Sequence, residues 1–355
     1  MYPTNQWLMA IVLALSICPS CGDGGTGPGG GGGGDGCALA PSIHWTGTAP
    51  VISPRSDASH ALVAVKDPTV VQFGGRWHVF ASSVSTQGAY NMVYTSFADW
   101  SEAPTAPLTY MDQTNGFNTY VAAPQLFYFR PQSKWYLLFQ SGPPMYSTAD
   151  DPGDPRAWAV PKPFFATQPA TVAANGGGWL DFWVICDVAS CHLFFSDNHG
   201  RWYQSKTPID QFPSGFGEPV VVMQDSNAGR IFEASNVYKL NGTNHYVAII
   251  EAFDQTSDNH RYFRSWIADS LDGPWLPWQG SGSFPFAGER NVAFAGTAWT
   301  RDISHGEAIR AGHDETLSLD PCHLRYVFQG ADPTANTGGD YNKIPWQLGV
   351  LTQVD

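Results

Sequence analysis

From Cys37 onward, apolar and polar positions alternate in short blocks, and long helix-period segments are missing. Each block opens on a polar or small residue, runs through an apolar strand, turns, and returns as an aromatic strand. The first is "VKDPTVVQFGGRWHVFAS" (Val65–Ser82), which starts on Lys66–Asp67 and turns at Gly-Gly. "APQLFYFRPQSKWYLLFQSG", "DFWVICDVASCHLFFSD" and "EASNVYKLNGTNHYVAIIEA" repeat this shape from Ala123, Asp181 and Glu233. A less regular fifth unit starts near Thr297 and returns as "LRYVFQG" (Leu324–Gly330). Successive starts lie 56, 58, 52 and 64 residues apart. Hairpins at that spacing predict an all-β chain folded as a five-bladed β-propeller. A β-sandwich, the other all-β solution, would not explain similar hairpins at such intervals.

The N-terminal stretch has a different character. "WLMAIVLALSIC" (Trp7–Cys18) has the length of a signal-peptide core, although no Lys or Arg precedes it. "CGDGGTGPGGGGGGDG" (Cys21–Gly36) is a flexible tether that cannot pack a core. Residues 1–21 are therefore expected to be a signal peptide, 22–36 a linker and 37–355 the catalytic domain. Cys21, between apolar run and tether, resembles a bacterial lipoprotein attachment site. The chain is expected to be secreted or extracytoplasmic, with membrane attachment only through a lipid at Cys21.

Four cysteines remain beyond the tether, and they allow three pairings. Cys186–Cys191 would staple a hairpin, and Cys37–Cys322 would join the two ends of the domain. No clustered Cys/His spacing suggests zinc. Net charge is −13, which argues against the basic surface that a nucleic-acid partner needs. Aromatic content of 14% with only 14% charged residues suits a neutral ligand such as a carbohydrate.

In a propeller the starts of the innermost strands converge on the axis. Asp67, Asp181 and Glu233 would then share one funnel. Carboxylates around a pocket are the equipment of glycoside hydrolysis: one protonates the leaving oxygen, another activates water. A third would raise the acid's pKa by like-charge repulsion. The bland alternative is that such acids cap strands or bind a central cation. Pro68 is expected to hold Asp67 extended.

The segments "VKDPTVVQFGGRWHVFAS", "RIFEASNVYKL", "RYFRSWIADSLDGPW", "TRDISHGEAIR", "DPCHLRYVFQG" and "GGDYNKIPWQLGVLT" resemble glycoside hydrolase family 62. The resemblance covers Cys37–Asp355. It implies a monomeric inverting α-L-arabinofuranosidase that acts on singly substituted xylose units of arabinoxylan or its oligosaccharides, without a cofactor. It assigns Asp67 as general base, Glu233 as general acid and Asp181 as pKa modulator, with Asp187 the less favoured candidate for the last role. Inversion would place the two catalytic carboxyls roughly 6.5–9.5 Å apart. Lys66 would face the sugar hydroxyls, or point to the other side of its strand. Tyr341 and Asn342 would border the pocket. Glu251 and Arg261 would bind sugar hydroxyls, or pair with each other. His305 would lie near a structural calcium, or be a satisfied core histidine.

The chain departs from the family's usual wording at Ser141, where an aromatic is common, which puts stacking against the xylan chain in doubt. The competing expectations are a family 43-type propeller hydrolase (β-xylosidase or arabinanase) and a non-catalytic carbohydrate-binding propeller.

Overall fold

The computed structural model describes residues 42–253, 260–279 and 284–354. Strand β1 (His44–Gly47) precedes the first complete blade, which contains β2 (Leu62–Phe73), β3 (Arg76–Ser85), β4 (Tyr90–Phe97) and β5 (Thr109–Tyr110). The second holds β6 (Ala122–Phe129), β7 (Lys134–Gln140), β8 (Pro144–Ala149) and β9 (Lys162–Pro163). The third holds β10 (Leu180–Cys186), β11 (Ser190–Ser196), β12 (Arg201–Pro208) and β13 (Val220–Gln224). In the fourth, β14 (Glu233–Leu240), β15 (Tyr246–Phe253), β16 (Arg261–Ala268) and β17 (Leu276–Pro277) follow in order. The fifth is completed from both ends of the chain. It joins β18 (Val292–Phe294), β19 (Ser304–Ala308), β21 (Arg325–Gly330) and β22 (Gln347–Val354) to β1, while β20 (Ser318–Leu319) crosses to pair with β14.

The first strands β2, β6, β10, β14 and β19 touch in that order and close back on β2, which makes a five-bladed β-propeller. Covered on both faces by neighbouring blades, an inner strand need not alternate apolar and polar residues. In β2 the residues Ala64–Val71 are all buried, and β10 is buried from Asp181 to Cys186. The outermost strands β5, β9 and β17 are only two residues long, which leaves little free edge for another chain to pair with. Gly74 and Gly75, with φ of +57° and +75°, form the tight turn that sets Phe73 opposite Arg76.

Closure rests on β1 lying antiparallel to β22 and parallel to β18. Trp45 anchors β1: its ring is buried and Nε1 donates to the Phe286 carbonyl at 2.6 Å. The fifth blade does not begin at Thr297. Its inner strand starts at Ser304, where pairing with β21 begins, and β18, upstream of Thr297, lies at the outer edge of the same sheet. Cys186 and Cys191 form a disulfide across the β10–β11 turn, where they are register partners. Residues 1–36 and Cys37, and with them the signal peptide, the tether, Cys21 and the expected Cys37–Cys322 bridge, lie outside the described residues.

Candidate active site at the propeller axis

Every inner strand skips a register step where it meets the axis. The breaks fall between Lys66 and Thr69, Ala122 and Gln125, Leu180 and Trp183, Glu233 and Asn236, and Ser304 and Gly306. In four blades the first residue within the break is left-handed: Asp67 (φ +48°), Ala123 (+50°), Asp181 (+57°) and Ala234 (+53°). Non-glycine residues pay on the order of 1 kcal/mol for this conformation. It persists because each N–H has a side-chain acceptor. Asp67 donates to Gln329 Oε1 (2.8 Å), Ala123 to Ser82 Oγ (2.8 Å), Asp181 to Gln140 Oε1 (3.0 Å) and Ala234 to Asp181 Oδ2 (2.8 Å). In the fifth blade the His305 N–H donates to Glu251 Oε2 at 2.6 Å.

Two expectations change here. Pro68 does not hold Asp67 extended, since the bulge turns that residue left-handed. Nor do the three acids occupy one repeat position. Asp67 and Asp181 are the left-handed residues, whereas Glu233 precedes its own, at the position held by Lys66 and Leu180.

All three acids nevertheless line one pocket of about 360 Å³, together with Lys66, Arg261, His305 and Tyr341. Asp67 Oδ1 lies 3.3 Å from Lys66 Nζ and 3.1 Å from His305 Nδ1. Burial pushes the Asp67 carboxyl up, but the Lys66 ammonium and then His305 outweigh it and hold the group well below the usual carboxylate range. Asp181 goes the other way. Burial dominates, His305 offsets part of it, and the charges of Glu233 and Asp67 add to the rise, so the carboxyl is pushed up to about 7. His305 Nδ1 is 3.7 Å from Asp181 Oδ2. Burial lowers the imidazole, yet Asp67 and Asp181 raise it to about 9. At neutral pH an imidazolium therefore stands between an ionised Asp67 and a titrating Asp181. Asp187, the alternative to Asp181, sits in the hairpin turn, where Oδ1 accepts the N–H groups of Ala189 and Ser190.

Across the pocket, Arg261 Nη1 donates to Glu233 Oε1 at 2.7 Å and also to Glu251 Oε1. Glu251 is 0% exposed and takes Ser304 Oγ at 2.9 Å as a further donor. It lies beneath the pocket rather than on its wall, so of the two readings of Glu251 and Arg261 the mutual pairing is realised, with Arg261 also reaching the lining. Lys66 Nζ donates to Tyr341 Oη at 2.9 Å and so points into the site, not to the far side of its strand. Asn342 is outside the pocket lining; its Oδ1 accepts the Tyr90 hydroxyl at 3.2 Å.

Tyr90, Tyr120, Phe232 and Gln140, with Ala122, Leu180 and Asn198, also line the pocket without being singled out in the sequence. Phe232 was adjacent to Glu233 and could have been found; Tyr90 and Tyr120 carry no local signal. Their rings meet edge-on at 5.9 Å and separate the pocket from a second hollow of about 590 Å³, whose lining includes His60, Asn91, Tyr110 and Asn118.

Calcium takes six to eight oxygen ligands. Among the described residues no group of three or more His, Cys, Asp or Glu side chains is arranged to hold a metal ion. His305 Nδ1 is engaged by Asp67. The expected structural calcium is not shown, and no step below runs through a metal.

The sequence profile of Glycosyl hydrolase family 62 matches residues 44–352. Alpha-L-arabinofuranosidase C of Cellvibrio japonicus (strain Ueda107) is 42% identical over 317 residues, which are 89% of this chain and 48% of that protein. The chain thus spans about half the length of this relative. The catalytic domain of a family 62 α-L-arabinofuranosidase from Coprinopsis cinerea is 50% identical, with a TM-score of 0.86 and coverage of 89% of this chain and 98% of that one. A family 62 hydrolase solved in complex with xylotriose is 43% identical, with a TM-score of 0.84 and coverage of 88% and 98%. Agreement in sequence and backbone across the whole propeller shows that the chain belongs to glycosyl hydrolase family 62.

Proposed function

We propose that the chain is an inverting α-L-arabinofuranosidase that removes arabinofuranosyl side chains from singly substituted xylose units of arabinoxylan. The observation that carries this reading is the convergence of three carboxyls on one pocket: Asp67 lies against Lys66 and His305, which favour its ionised form, while Glu233 lines the same pocket and accepts a hydrogen bond from Arg261 Nη1. An ionised Asp67 can take a proton from the attacking water. Glu233, in its protonated form, would donate its proton to the departing xylosyl oxygen, so that the C–O bond breaks as the water oxygen bonds to the opposite face of the anomeric carbon. Asp181, charged in part at neutral pH, modulates both through the field of the pocket. Lys66 and Tyr341 line the space where sugar hydroxyls would sit. No cofactor takes part. The names of the relatives support arabinose as the released sugar, and the hollow beyond Tyr90 and Tyr120 offers room for the xylan chain.

Product analysis on wheat arabinoxylan, with proton NMR of the first anomer formed, tests the proposal. Arabinose released initially as the β-anomer is expected. Release of xylose, turnover of linear arabinan instead of arabinoxylan, or the α-anomer appearing first would overturn it.

A further inference from the structure

Beneath the pocket floor, one chain of hydrogen bonds runs from the backbone of Asp67 to the carboxylate of Glu233. The Asp67 N–H donates to Gln329 Oε1 at 2.8 Å, and Gln329 Nε2 donates to Ser304 Oγ at 3.0 Å. Ser304 Oγ donates to Glu251 Oε2 at 2.9 Å. Arg261 then bridges Glu251 Oε1 to Glu233 Oε1, the last contact being 2.7 Å. Gln329, Ser304 and Glu251 are all buried.

Strand register explains the path. Gln329 is the cross-strand partner of Ser304, and Glu251 is the partner of Glu233. Ser82, Gln140 and Ser196 hold the same repeat position opposite Lys66, Ala122 and Leu180. Ser82 and Gln140 each satisfy one bulge N–H in the next blade. Ser196 leaves its Oγ without a partner among the described residues, and Asp181 caps Ala234 in its place. Only in the fifth and fourth blades do these caps join end to end, and the groups they join are the proposed base and acid.

We infer that Gln329, Ser304 and Glu251 are positioning residues that fix the separation of Asp67 and Glu233 for the displacement; this rests on the acid–base reading above. A fully satisfied buried network has few alternative arrangements, so it holds its ends rigidly. The spacing of the two carboxyls is the variable that decides whether water fits between base and sugar.

Ser304→Ala in the full chain removes one hydroxyl from the middle of the network, and Gln329→Met breaks the neighbouring bond at nearly constant volume. Each is expected to lower kcat on arabinoxylan roughly tenfold to a hundredfold, the scale of a small misplacement of reacting groups, with KM nearly unchanged. Because both cut the same chain, the double variant should be no slower than the worse single by more than about twofold. Glu251→Gln, which disturbs the acid's end, should slow arabinoxylan more than 4-nitrophenyl arabinofuranoside, whose good leaving group needs little protonation. If Ser304→Ala does not fold, Gln329→Met carries the same comparison. Folded variants with wild-type kcat, while Asp67→Asn and Glu233→Gln are inactive, would sink the positioning role and leave the acid–base reading standing. A kcat loss that only follows a lower thermal midpoint would sink it too. Activity persisting in Asp67→Asn or Glu233→Gln would remove the reading itself.

Discussion

His305 Nδ1 lies 3.1 Å from the Asp67 carboxylate, a contact that couples the titration of the whole pocket floor to the stability of the fold. His305 is raised from 6.5 to about 9, so its contribution is complete below pH 6.5 and is lost as pH rises through 9. Asp181 is raised from 3.8 to about 7, so its contribution is complete below pH 3.8 and is lost as pH rises from there through 7. Asp67 is depressed, and its contribution is present above 3.8 and lost only in stronger acid. The thermal midpoint should therefore be highest near pH 4 and fall from there to about pH 9, through Asp181 up to neutrality and through His305 between about pH 6.5 and 9. His305→Gln should flatten that fall. A midpoint that stays level to pH 9 in the wild type would show that these groups do not titrate in the folded chain as their surroundings require.

Lys66 is the largest favourable influence on Asp67, set against burial, which pushes the same carboxyl up. Lys66→Met should let the Asp67 pKa rise and move the acid limb of kcat/KM to higher pH by about one to two units, with the alkaline limb in place. The measurement is a pH–rate profile on a soluble aryl arabinofuranoside. An unmoved acid limb in a folded variant would mean that another group keeps Asp67 charged.

Much of this site was legible before any coordinates, and the misses have physical causes. An acid at the head of an apolar strand is costly unless it is used or paired, so Asp67 and Asp181 stood out. The one-residue offset of Glu233 did not, because a bulge adds a residue without any change in composition. The fifth inner strand begins at Ser304 rather than near Thr297 because its start is set by pairing with β21, a long-range contact that the intervening residues do not announce. Tyr90 and Tyr120 come from the first blade and from the loop before the second, and only ring closure sets them side by side. Glu251 was recognised as important, but its register partner, Glu233, is what explains its burial beneath the pocket.

The Cys186–Cys191 disulfide closes a turn of sequence separation 5, on the hairpin end that carries Asp187 and not at the pocket end of β10. Replacing both cysteines with Ala should lower unfolding free energy by about 2 kcal/mol, the loop-entropy value for so short a closure. Activity at ambient temperature should hold, since Leu180 and Asp181 lie at the opposite end of the strand. Chemical denaturation with and without reductant measures the first quantity, and a steady-state assay the second. A loss of kcat in the folded variant would contradict the separation of the staple from the chemistry.

Tyr120 is 43% exposed, and its ring lies at the partition between the pocket and the adjoining hollow. Its hydroxyl accepts from Gln140 Nε2 at 2.6 Å and its carbonyl accepts from Ser141 Oγ at 2.7 Å, so the ring is held in place although Ser141 itself offers no stacking surface. A fixed, half-exposed aromatic beside a pocket is suited to pack against the apolar face of a sugar. If the xylan chain crosses the partition, Tyr120→Ala should raise KM for arabinoxylan roughly three- to tenfold. An aryl arabinofuranoside, which occupies only the pocket, should keep its KM, and kcat should hold on both substrates. Equal loss on the two would place the role of Tyr120 inside the pocket through Gln140, whose Oε1 accepts the Asp181 N–H. No loss on either would mean that the chain leaves the site by another path.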